Sequence, residues 1–147
     1  MSAPVSLHST ELDIRWGDLD AFNHVNNAVY LDYIQEARLR WLTTLADGWY
    51  DDAVSPVLVN TTCNYRQPVV WPARIRIDLH VAARSGRSLT LGHRIVDAAQ
   101  PETLYSDGHV VLVWIDRHRN QAVPLPEVVS QALAASEAMT GTTAASD

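Results

Sequence analysis

The chain has 147 residues, 17 of them acidic and 11 basic, for a net charge of −6, with a single cysteine. That length holds one good core and is too short for two; the acidic balance argues against nucleic acid as a partner, and one cysteine excludes an internal disulfide. No apolar run reaches the length of a membrane span, and residues 1–10 lack the basic start and apolar middle of a secretion signal, so the expectation is a single cytoplasmic domain with no membrane partner.

Glu11 to Trp16 alternates, with Leu12, Ile14 and Trp16 on one side and Glu11, Asp13 and Arg15 on the other. This is the pattern of a half-buried strand, which Gly17 ends. From Val25 the apolar positions recur every fourth residue through Val29, Tyr33, Ala37, Trp41 and Leu45, and Tyr30, Ile34 and Leu42 widen the stripe. That is the period of a long helix laying one face on a core, with Asn26 or Asn27 as its cap. Asp47 to Pro56 is a connection rich in turn formers and held down by Trp49 and Tyr50.

Strands follow. Val57 to Arg66 is rich in Val and Thr and stops near Pro68, which has no N–H for a ladder. From Ala73 to Ala83, Ile75, Ile77, Leu79 and Val81 oppose Arg74, Arg76, Asp78 and His80, so one face is wet. Arg84-Ser85-Gly86-Arg87 reads as a hairpin turn in which Gly86 supplies a positive φ, leading into Ser88 to Val96. After a loop at Asp97 to Glu102 comes Leu104 to Ile115, where Val110 to Ile115 is apolar at every position. That run predicts a central strand covered on both faces, and Gly108 within it marks a bulge or a close backbone approach. Asp116 to Asn120 is a polar turn, Pro126 suits the first turn of a short C-terminal helix to about Ala138, and residues 139–147 are expected to form a flexible tail. The order is α+β: a long helix covering an antiparallel sheet of about five strands, compatible with a hotdog fold or another α+β sandwich.

The chemistry concentrates in Asp18-Leu19-Asp20-Ala21-Phe22-Asn23-His24-Val25-Asn26-Asn27, directly before the long helix. Unpaired N–H groups at a helix start, with the helix dipole, make a place for developing negative charge, and Asp20 stands just upstream. Asp20 is therefore the candidate nucleophile or general base; helix electrostatics alone would be worth under about 1 kcal/mol. Asp18 is expected to hold the loop by accepting backbone N–H bonds. His24 is open between acting on Asp20 or substrate and fixing a turn through a backbone carbonyl. Tyr30 and Tyr33 read as core, Phe22 as pocket wall or packing, Glu36 and Arg40 as a surface helix pair. His80, His93, His109 and His118 have no metal-ligand spacing, no Cys-x-x-Cys or His-Glu-x-x-His pattern makes a case for zinc, and Cys63 reads as a small buried apolar residue. Charge is uneven along the chain: the stretch from Arg66 to Arg94 carries six arginines and one aspartate, +5 against −11 for the remainder. Arg84, Arg87 and Ser88, with Ser85, form either a candidate anion cradle on one turn or a solvated hairpin tip, while Arg74 and Arg76 read as solvated strand faces.

Ile14-Arg15-Trp16-Gly17-Asp18-Leu19-Asp20, then His24-Val25-Asn26-Asn27 and Tyr30, then Glu36-Ala37-Arg38, resembles the opening of the 4-hydroxybenzoyl-CoA thioesterase-like family of hotdog acyl-CoA thioesterases. The similarity continues through Tyr65-Arg66-Gln67-Pro68 and the Arg84 to Ser88 turn to the strand at Val110, covering about residues 10–128. The resemblance implies a homodimer or homotetramer with helices inside continuous sheets and active sites between subunits. It implies an acyl-CoA substrate, with coenzyme A as part of that substrate and no separate cofactor. It places the catalytic carboxylate on Asp20, the oxyanion donor on the backbone N–H near Asn27, and the coenzyme phosphates near Arg84, Arg87 and Ser88. Aromatic-acyl members carry Pro and Gly directly after the acid, where this chain has Ala21, Phe22 and Asn23, which favours an aliphatic or mixed acyl group. Thioester hydrolysis needs a polarised carbonyl and a delivered nucleophile, and a thiolate leaves without a strong general acid. Two other readings remain: a thioesterase acting on acyl-carrier protein, and a non-catalytic module that binds acyl-CoA. A hotdog hydratase fits poorly, because Asp20 and His24 are four apart rather than five.

Overall fold

The computed structural model describes Pro4 and residues 6–139. Strand β1 (His8–Asp13) leads through a 3-10 turn (Trp16–Asp18) and a loop into helix α1 (Val29–Thr43); β2 (Val54–Tyr65), β3 (Arg74–Arg84), β4 (Ser88–Asp97), β5 (Leu104–Asp116), β6 (Gln121–Val123) and α2 (Glu127–Met139) follow. The strands form one antiparallel sheet in the order β1-β3-β4-β5-β2, with β6 added on β5. Helix α1 lies across one face, the hotdog arrangement. Its buried side is Tyr30, Tyr33, Ile34, Ala37, Trp41 and Leu42, the stripe predicted from fourfold spacing. Opposite it stand Ile75, Ile77, Leu79, Leu89, Leu91, Ile95, Val110, Leu112 and Trp114, and α2 adds Val129 and Leu133 to the same cluster.

Several boundaries differ from expectation for identifiable reasons. The first strand runs from His8 to Asp13 rather than to Trp16, because the Arg15 N–H turns to the Asp18 carboxylate at 3.0 Å and leaves the ladder. Trp16 is consequently 72% exposed instead of facing inward with Ile14. Helix α1 starts at Val29 with Ala28 at its N-cap, so neither Asn26 nor Asn27 caps it. Asn26 acts one turn earlier: its Oδ1 accepts the Ala28 N–H and its carbonyl accepts the Val29 N–H, both at 2.9 Å. Among the described residues the sheet has six strands, one more than the five or so expected, because the chain reverses at Asn120 (φ 53°) and lays three further residues on β5. A strand that short shows no alternation to read.

Strand β5 lies inside the sheet, yet only one of its faces is covered. Val110, Leu112 and Trp114 are buried under the helices, whereas Val111, Val113 and Ile115 are half-exposed on the other side. Gly108 on β5 is a close approach: a Cβ there would lie 2.0 Å from the Thr62 carbonyl oxygen of β2. The β3–β4 turn is closed by Ser85, not by a positive φ at Gly86. Ser85 Oγ accepts the Arg87 and Ser88 N–H groups at 3.3 and 3.1 Å. Cys63 is half-buried rather than fully apolar in its contacts, with Sγ 3.3 Å from Ser106 Oγ. The tail expected at 139–147 lies, beyond Met139, outside the described residues. Among the described residues no helix is long and apolar enough to cross a membrane.

Candidate active site

The loop between β1 and α1 is fixed from within by Asp18, which is only 4% exposed. Its Oδ2 accepts the Tyr33 hydroxyl at 2.7 Å and the Arg15 N–H, its Oδ1 takes the Arg15 guanidinium at 3.0 Å, and its carbonyl accepts the Asn26 N–H at 2.9 Å. Burial works to raise the Asp18 pKa, but the Arg15 backbone amide, the Tyr33 hydroxyl and the Arg15 guanidinium outweigh it and hold the carboxyl below its usual range. The same charged acceptor, together with burial, pushes the Tyr33 hydroxyl pKa well upward. Tyr33 is thus core in its ring and a keystone in its hydroxyl, the usual fate of a buried tyrosine oxygen.

Asp20 sits two residues on, in a tight loop closed by the Leu19–Val25 bridge. Its N–H donates to the His24 carbonyl at 2.9 Å, its carbonyl accepts the Asn23 N–H at 3.0 Å, and Asn23 takes a positive φ of 63° to make the turn. Oδ1 of Asp20 accepts the Phe22 N–H at 2.8 Å. Its Oδ2 has no hydrogen-bond partner among the described residues.

Asp20, Phe22, His24, Asn27, Tyr30 and Tyr65 share an open cleft of about 420 Å³ with Val25 and the Arg66–Pro68 segment. The Asn27 N–H has no hydrogen-bond partner among the described residues, while its carbonyl accepts the Tyr65 hydroxyl at 2.9 Å. Tyr65 stands edge-on to Tyr30, centroids 5.0 Å apart at 88°. Asp20, Asn27 and an aromatic wall therefore line one space. His24 lines it too; among the described residues its ring makes no hydrogen bond to a carbonyl, and it is the His24 backbone carbonyl that closes the turn by accepting the Asp20 N–H. Phe22 is a cleft wall, largely exposed. Tyr30 and Tyr65 are among the cleft residues to which the sequence pattern assigned no role at the site. A tyrosine ending a strand beside Pro68 was the available signal.

Arg84, Arg87 and Ser88 are elsewhere in the same chain. Arg84 Nε pairs with Glu137 at 3.1 Å, an Arg87 guanidinium nitrogen reaches the Ala122 carbonyl at 3.4 Å, and Ser88 Oγ lies 2.9 Å from Ser85 Oγ. On β5, Ser88 is opposite Val113 and Tyr65 is opposite Ser106, a separation of about 23 Å at 3.3 Å per residue. One chain does not bring this turn to the Asp20 cleft. Arg74 pairs with Glu11 and Asp13, and Arg76 with Asp78, as wet strand faces do.

A family model for the thioesterase-like superfamily matches residues 14–133. The long-chain acyl-CoA thioesterase FadM of Escherichia coli (strain K12) is 31% identical over 119 residues, which cover 79% of this chain and 89% of FadM. Among solved structures, a protein from Xanthomonas campestris assigned as an acyl-CoA thioesterase aligns at 41% identity and a TM-score of 0.74, covering 82% of this chain and 99% of that one. The PA2801 protein of Pseudomonas aeruginosa aligns at 35% identity and a TM-score of 0.82, over 88% and 99% of the two chains. The helix-wrapping antiparallel sheet and the match along 14–133 lead to one assignment: the chain belongs to the thioesterase-like superfamily, hotdog enzymes that hydrolyse thioesters.

Proposed function

We propose that this protein is an acyl-CoA thioesterase in which Asp20 delivers the nucleophile and the Asn27 N–H receives the carbonyl oxygen. The observation that carries the reading is that one open cleft is lined by both Asp20, whose Oδ2 has no hydrogen-bond partner among the described residues, and Asn27, whose N–H likewise has none. With the thioester oxygen against Asn27, the carbonyl carbon becomes electrophilic. Either Asp20 adds to it, or Asp20 takes a proton from a water that adds. The tetrahedral oxyanion then rests on the Asn27 N–H, a donor worth about 3 kcal/mol in the transition state. Collapse breaks the C–S bond and releases coenzyme A as thiolate. In the first route a water then hydrolyses the acyl-aspartate anhydride; in the second the acid is already free.

The aromatic and apolar lining from Phe22, Val25, Tyr30 and Tyr65 suits an aliphatic or mixed acyl group, and the similarity to FadM supports a long chain. Strand β2 ends the sheet with Leu58 and Val59 exposed, an unpaired apolar edge that favours pairing with a second copy. In such a homodimer or homotetramer, the Arg84–Ser88 turn of another copy is the source of phosphate contacts. The test is thiol release from short, long and aromatic acyl-CoAs, for wild type and Asp20→Asn together. A loss of at least a thousandfold in Asp20→Asn on the best substrate is expected. Equal turnover by the two proteins sinks the assignment of the carboxylate.

A further inference from the structure

We propose that Tyr65 is a positioning residue whose hydroxyl ties the Asn27 peptide to the sheet and so holds the oxyanion donor at the right place above the cleft. The inference rests on the reading of Asp20 and Asn27 given above. Three other hydrogen bonds define the backbone beside the Asn27 N–H: the Asn26 N–H to the Asp18 carbonyl, the Ala28 N–H to Asn26 Oδ1, and the Val29 N–H to the Asn26 carbonyl, each 2.9 Å. The first two stay inside the loop from Asp18 to Ala28 and the third reaches only the first turn of α1, so none of them ties the donor to the sheet. The Val25 N–H to Val69 carbonyl bond anchors the loop to the segment after β2, itself outside the sheet. Tyr65 differs because it is the last residue of β2, in register with Ser106 on the interior strand β5. Its hydroxyl donates to the Asn27 carbonyl at 2.9 Å, and its ring edge is braced on Tyr30, which is buried in α1.

The tether therefore joins sheet, helix start and loop at the one peptide whose neighbour must point at the reacting oxygen. A donor that is not preorganised loses most of its value, and small misplacements cost large factors in rate. Burial and the neighbouring Cys63 push the Tyr65 hydroxyl up to about 12, so it keeps its proton at the pH of ordinary assays.

Tyr65→Phe removes the hydroxyl and keeps the ring on Tyr30. With lauroyl-CoA, kcat is expected to fall about tenfold, as a partial misplacement of a donor would cause. KM stays within about twofold, and so does the Kd of S-dodecyl-CoA, a thioether with no carbonyl oxygen for the donor to hold. Hydrogen exchange of the amides at 26–28 quickens, which reads the tether without turnover. The proposal is overturned by wild-type kcat or unchanged exchange in Tyr65→Phe, or by KM and the thioether Kd rising in step with the loss. Asp20→Asn run in parallel separates the two ideas. An inactive Asp20→Asn beside a normal Tyr65→Phe sinks the tether alone, whereas a fully active Asp20→Asn sinks the catalytic reading itself.

Discussion

His93 is expected to make the stability of this protein fall as the medium is acidified. It lies on β4 facing α1, 1% exposed, with Nε2 3.2 Å from Ser106 Oγ and no hydrogen-bond partner for Nδ1 among the described residues. Burial lowers its pKa from 6.5 to about 4, the weak pull of Asp107 in the other direction notwithstanding. Between those two values the unfolded chain holds a proton that the folded protein refuses. The stability is complete above pH 6.5 and is lost as pH drops toward 4. Worked through linkage, the loss is about 2 kcal/mol between pH 7 and pH 5, or roughly 6 °C in melting temperature for a chain of this size. The perturbation is His93→Gln, which keeps a hydrogen-bonding group for Ser106 and cannot titrate. Urea and thermal unfolding of both proteins at pH 7 and pH 5 isolate the effect, because His8 and His80, also lowered by burial, are present in both and cancel. If wild type and His93→Gln lose the same stability on acidification, the buried neutral imidazole is not the cause and the reasoning fails.

Gly108→Ala should cost roughly 3 kcal/mol, since its Cβ would sit 2.0 Å from the Thr62 backbone oxygen and only a shift of β2 against β5 relieves it; a denaturant titration checks this. Tyr33→Phe removes a hydrogen bond to a buried carboxylate and should destabilise by about 2 kcal/mol, with acid unfolding moved to higher pH as Asp18 loses part of what holds its pKa down. The sign follows from Asp18 being depressed in the fold: its contribution is present above the unfolded value and lost as pH falls through the folded one. Arg87→Ala should raise KM for acyl-CoA severalfold, make KM less sensitive to salt, and leave KM for an N-acetylcysteamine thioester unchanged. Unaltered salt dependence would mean the turn is a plain hairpin tip.

Local pattern was enough for the elements. A fourfold apolar repeat has only one regular structure that puts all its members on one side, so Tyr33, Ala37 and Trp41 were bound to face a core whatever covered them. Period-two alternation did the same for Ile75, Ile77 and Leu79. Chemistry-bearing residues crowd ten positions before that helix, which singled out Asp20 as the candidate acid, and the family resemblance put the oxyanion donor near Asn27. Single residues whose environment depends on which polar atoms or strand edges they meet in the fold were not. Trp16 points to solvent because Arg15 binds Asp18, Cys63 meets a polar atom because Ser106 lies across the pairing with β5, and β6 exists only because β5 offers it an edge.

Three consequences belong to tertiary structure alone. Tyr65 and Asn27 are 38 residues apart and become partners only when β2 ends beside the start of α1. Arg84, Arg87 and Ser88 look adjacent to the site in function and are carried to the opposite end of β4 by the strand register. The apolar run at Val110 to Ile115 announces two covered faces, yet a single helix layer covers one. Sequence determines which side chains must leave water, because burial is decided by local periodicity and apolar area. Which polar atoms then meet is decided by register and crossing geometry, which no local repeat encodes.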